Sequence, residues 1–187
     1  MDLNAAVPAA IVGAVIATLG VFAVEMWLKP RLARRRVACI LAIEIRLNIR
    51  LIDVALKHRQ ENPARVSESF VLSQRAWEAA SDELQYLQES TLRPLLLVYN
   101  QFQEINSLVR GHSRKGDQLL RLTPGPPFAA LLQEFQDNAQ VFGDMLTGTR
   151  AQCERTLPHL TRIIERFPVN PVADKIDSGK APRSDVR

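Results

Sequence analysis

The sequence predicts an all-α fold: one N-terminal transmembrane helix, then an antiparallel bundle of about four helices. Three observations predict it. The 20 residues from Ala5 to Val24, AAVPAAIVGAVIATLGVFAV, carry a single polar side chain, Thr18. Five cations, Lys29, Arg31, Arg34, Arg35 and Arg36, follow within EMWLKPRLARRR. Beyond them apolar residues recur mainly at helical spacing, in segments separated by proline- and glycine-bearing breaks.

The apolar run comes first. Twenty residues at 1.5 Å rise make ~30 Å of helix, the thickness of a bilayer's hydrocarbon core. Pro8 sits in the first turn, where its missing N–H costs least. Glu25 is the discordant residue; a carboxylate costs roughly 3 kcal/mol at a bilayer centre and much less near an end, beside Lys29. A cleaved signal peptide would put positive charge ahead of the run and small residues at its close, whereas here Asp2 precedes it and EMWLKP follows. A buried core helix of a soluble protein is the remaining competitor. Ala6, Ala10, Gly13, Ala17 and Gly20 recur at intervals of four, three, four and three, a small-residue stripe on which two spans can approach closely.

Charge then sets orientation and partners. Residues 1–28 carry −2 and residues 29–59 carry +7, although the whole chain is only +4. The basic character is therefore one local segment, and a nucleic-acid partner loses its support. Anionic lipid of the inner leaflet is the better fit: each cation near such a surface contributes about 1 kcal/mol. Trp27, Lys29, Arg31, Arg34, Arg35 and Arg36 are the expected headgroup contacts. Cations after the span place the N-terminus outside and residues 29–187 in the cytoplasm of the plasma (inner) membrane.

The expected organisation is an anchor over 1–28, a basic juxtamembrane region and first long helix over 29–60, the rest of the bundle over 61–167, and a disordered tail over 168–187. Residues 31–60 read as helix although IEIRLNIRL, Ile43 to Leu51, alternates like a strand. Arg46, Arg50, Asp53 and Lys57 form a polar helical stripe opposite Leu41, Ile45, Ile52 and Leu56. Glu44 and Asn48 fall inside the apolar arc, so they should be hydrogen-bonded as a register-fixing pair, to each other and to Arg75 or Asn106. A helix is expected from Ser67 or Ser69 carrying Phe70, Trp77 and Leu84, broken at Ser81 or Asp82. Another should start with Thr91 as N-cap and Pro94 in its first turn, ending at Gly111, with GHSRKGDQ and TPGPP as loops. Phe128, Leu131, Phe135, Phe142, Leu146, Cys153, Leu157, Leu160, Ile164 and Phe167 mark one long amphipathic helix, packing as the last helix of its own bundle rather than as an inter-chain coiled coil.

The basic-flanked span, the helix with Glu44 and Asn48 before Leu51 and Ile52, Trp77, and LLLVYNQFQEIN with Tyr99 and Asn106 resemble uncharacterised bacterial single-pass membrane proteins, over residues 5–110. The resemblance implies a helical cytoplasmic domain and supplies no activity.

No phosphate loop, HExxH, CxxC or nucleophile elbow occurs, and His58, His112 and His159 stand apart. No catalytic residue, cofactor or metal ligand is therefore expected. The function class that remains is a non-enzymatic, membrane-anchored interaction or scaffold module that binds itself or another protein. The alternative is a bundle that binds lipid or a small molecule, or acts on it as an enzyme, with its polar centre at Glu44, Asn48 and a facing arginine.

Overall fold

A computed structural model describes residues 14–62, 66 and 70–166. All regular structure among them is helical. Residues 14–23 are α-helical, Val24–Leu28 form a π-helical turn, and α1 runs on from it as Lys29–Glu61. A short α2, Arg75–Ala79, leads through a 3₁₀ turn, Ser81–Tyr86, to α3, Glu89–Leu119, and α4 follows as Pro126–Arg166.

Among the described residues no helix is long and apolar enough to cross a membrane. Of the apolar run 5–24, residues 5–13 lie outside the described residues, as do Ala6, Ala10 and Gly13 of the small-residue stripe and the tail 168–187. The part that is described is helical, and from Val15 to Leu28 its large apolar side chains are 45% to 65% exposed. Ala17 and Gly20 are exposed in it, and a methyl group at Gly20 would meet nothing within 4 Å. Pro30 accounts for the π turn. A proline ring collides with the carbonyl four residues back, here Met26, and a widened turn relieves that collision. The Lys29 N–H accordingly reaches back five residues, to the Val24 carbonyl. The chain thus passes Pro30 as one uninterrupted helix, not as two.

The core is built on α4, which packs along both α1 and α3, while α1 and α3 scarcely meet directly. Leu41, Ile45 and Ile52 of α1, Leu95, Phe102 and Ile105 of α3, and Phe142, Leu146 and Leu160 of α4 are at most 2% exposed. The expected amphipathic helix from Phe128 is therefore the central element of its own bundle. It runs unbroken through Gly143, Gly148 and Pro158.

Two expectations are corrected. The segment expected as a helix from Ser67 or Ser69 is not helical over its described part, 70–74, and is helical only for Arg75–Ala79 before the 3₁₀ turn. It fills the space that α1 and α3 leave between them. Phe70 and Leu72 turn inward (9% and 1% exposed) and Val71 outward (61%), the alternation of a strand. The second correction is α3, whose N-cap is Gln88 and not Thr91, and which runs through Gly111 and HSRK to Leu119. Thr91 is its third residue and is buried. Each interior glycine costs about 1 kcal/mol of helix propensity. Packing on α4 outweighs this: the buried His112 ring stacks on Phe135 at 3.8 Å between centroids, and Lys115 pairs with Glu134.

Candidate functional site

Glu44 and Asn48, one turn apart on the buried side of α1, are 6% and 0% exposed. They do not bond each other, Arg75 or Asn106. Both turn to the 70–77 segment, which needs them because an extended stretch without sheet neighbours has no backbone partners of its own. Asn48 accepts from the Ser73 N–H at 2.9 Å and donates to the Ser73 carbonyl at 2.8 Å. Asn106, on α3, does the same for Leu72, both at 2.8 Å. Successive residues of an extended chain direct their N–H and C=O groups to opposite sides. One asparagine from each flanking helix therefore clasps adjacent residues, as two neighbouring strands would.

Glu44 holds the next turn. Its Oε1 accepts from the Ser73 hydroxyl at 2.6 Å and the Ala76 N–H at 3.0 Å. Its Oε2 accepts from the Tyr99 hydroxyl at 2.8 Å and the Trp77 N–H at 3.4 Å. All four partners are donors, and a carboxylate offers about four acceptor positions. The carboxylate thereby caps α2 from another helix, at the end where negative charge is favoured. Tyr99 stacks on Trp77 at 4.6 Å between centroids and stands edge-on to Phe102. Burial, then the Glu44 charge and hydrogen bond, push the Tyr99 phenol well above its ordinary range, so it stays a donor. Burial and nearby Glu154 push the Cys153 thiol up to about 12, which leaves it unreactive at neutral pH.

The basic segment is dispersed. The Arg31 guanidinium lies 4.9 Å from the centre of the exposed Trp27 ring, and Lys29 pairs with Glu25. Arg36 pairs with Glu83 of the 3₁₀ turn, while Arg34 and Arg35 are half-buried with Nε atoms that have no hydrogen-bond partner. Lys29, Arg35, Arg36, Asp82, Glu83 and Tyr86 line an open groove of about 800 Å³ there. Among the described residues, no group of three His, Cys, Asp or Glu side chains could hold a metal ion.

One feature was missed from the sequence. Ile43, Leu47, Leu51 and Val54 are 55%, 52%, 43% and 54% exposed on α1. At about 100° per residue they fall within an arc of about 80°. The alternation in IEIRLNIRL is thus the sum of two helical stripes: Leu41, Ile45 and Ile52 face the core, and these four face outward. A helix apolar on two sides has more than one surface to cover. The signal is legible in the sequence, where the two stripes together imitate the alternation of a strand.

Comparison with protein-family models, with curated proteins and with solved structures gave no match. The likeness to single-pass bacterial membrane proteins rests on the residues quoted for it.

Proposed function

We propose that this protein is a non-enzymatic, membrane-anchored interaction module: residues 5–24 span the plasma membrane with the N-terminus outside, and the cytoplasmic helical bundle presents α1 to a protein partner. The carrying observation is that exposed apolar surface occurs on two successive parts of one helix. The first, 15–28, ends at Trp27 and the cations expected at lipid headgroups; the second, Ile43 to Val54, stands on the folded domain. The helix continues without a break through Val24–Leu28, so in this reading the anchor and the docking surface lie along one helix.

A binding centre for lipid or a small molecule at Glu44 and Asn48 finds no support in the geometry. Their hydrogen-bonding positions are taken by Ser73, Ala76, Trp77 and Tyr99.

The test is extraction. Washed membranes from cells making the full chain should retain it through alkaline carbonate, and a chain lacking residues 1–24 should be released. Protease added outside intact cells should leave the bundle intact. Release of the full chain by carbonate, or its digestion from outside, would overturn the reading.

A further inference from the structure

We infer that the exposed face of α1 is the seat of an acidic amphipathic helix from another protein, and not of a second copy of this chain, of lipid, or of this chain's own tail. This deepens the reading proposed above and rests on it for the claim that the face meets a protein.

The stripe of Ile43, Leu47, Leu51 and Val54 is about 16 Å long, three helical turns. Its edges differ. One side turns directly into the core, at Glu44 and Asn48, both buried. Along the other run Arg46, Arg50 and Lys57, all exposed and without an ion-pair partner among the described residues. No anion on α1 pairs with any of the three. Glu44 is consumed by its four donors, Asp53 accepts from Arg150 Nε at 2.6 Å, and Glu61 lies by His58. The face is thus an apolar ridge with one cationic margin, and its complement is an apolar ridge with one anionic margin.

The other occupants fit poorly. An antiparallel two-fold pairing of this face with itself brings Arg46, Arg50 and Lys57 of both copies to one seam, where like charges oppose association. A parallel pairing sets each cationic margin against the other copy's Glu44 side, where that carboxylate is already taken by four donors. Lipid is out of reach in the anchored reading. α1 continues the anchor's helix, so the stripe stands roughly 20 to 40 Å beyond Leu28 along the axis. The segment 168–187 carries Lys175, Lys180, Arg183 and Arg187 against Asp174, Asp177 and Asp185, so it offers no net anionic margin, and its sequence lacks an apolar helical face.

The experiment places a photoreactive benzoyl-phenylalanine at Leu47 of the full chain in the cells that make it, with the same group at exposed Arg155 of α4 as control. The expected product is a hetero-adduct whose cross-linked peptide carries Asp or Glu flanking helically spaced apolar residues. Arg46→Glu combined with Arg50→Glu should cut its yield at least fivefold with an unchanged thermal melt, since neither side chain has an ion-pair partner among the described residues. A synthetic copy of that peptide should bind the purified full chain in detergent, more weakly as salt rises. An adduct of twice the chain's mass, a lipid adduct, a peptide without acidic residues, a yield indifferent to charge reversal, or no adduct above the Arg155 control would each overturn the inference. Carbonate extraction is read separately, so loss of the anchor and loss of the acidic partner are distinguishable.

Discussion

The Tyr99 hydroxyl donates to Glu44 Oε2 at 2.8 Å, joining α3 to α1 across 55 residues of sequence. Tyr99→Phe removes one of four donors and should cost about 1–3 kcal/mol, read as a lowering of Tm by ~2–4 °C per kcal/mol. Glu44→Gln should cost more, roughly 3 kcal/mol or above, because its amide N–H₂ would face a group that is itself a donor. Equal effects of the two substitutions in a denaturant titration would refute the four-donor arrangement.

Asn48 and Asn106 are separable by hydrogen exchange. Both Leu72 and Ser73 amides should be protected although neither lies in a helix. Asn106→Ala should release Leu72 while leaving Ser73 slow, and Asn48→Ala the reverse. Simultaneous release of both amides by either change would show that the segment opens as one unit and that the clasp is not divided as described.

The glycines of the long helices divide by what a methyl group would meet. At Gly111 and Gly148 nothing stands within 4 Å, so Gly→Ala at each should stabilise by about 0.5–1 kcal/mol. At Gly143 an added Cβ would sit 2.7 Å from the Arg59 guanidinium, which also lies over the Phe142 ring at 5.9 Å. The guanidinium ends a flexible side chain and can swing aside, so Gly143→Ala should be nearly neutral. A loss above about 2 kcal/mol, the size of a real packing defect, would mean that Arg59 is held in place.

Alkaline pH should destabilise the fold through Cys153 and Tyr99. Each has a folded pKa raised above its ordinary value, 9.0 for the thiol and 10.0 for the phenol, so above those values the unfolded chain loses protons that the folded chain keeps. Stability should be level below pH 9 and fall progressively from there, for Cys153 up to about 12. Cys153→Ala should flatten the slope that begins near pH 9. An unchanged slope in that variant would remove the thiol from the account.

The long helices were legible because their apolar periodicity reports burial directly: Leu41, Ile45 and Ile52 were named from spacing and are fully buried. Glu44 and Asn48 were also legible, since polar residues inside an apolar arc must be satisfied. Their partners were not. Ser73, Ala76 and Trp77 take part largely through backbone N–H and C=O groups, which every residue type carries, so composition says nothing about them. The extended segment was hidden for a related reason: two asparagines about 60 residues apart replace the neighbouring strands whose pattern would have announced it. The end of α3 was misplaced because Gly111 signals termination locally, whereas His112 on Phe135 and Lys115 with Glu134 reward continuation from a distance.

The central position of α4 bears on how the molecule comes into being. Its partners α1 and α3 emerge from the ribosome first, and the faces that each turns to α4 stay wet until translation has carried α4 to Arg166. At ~5–20 residues per second, the 41 residues of α4 take several seconds to appear. Throughout that interval the unfinished chain displays two sticky surfaces and is a natural client for chaperones.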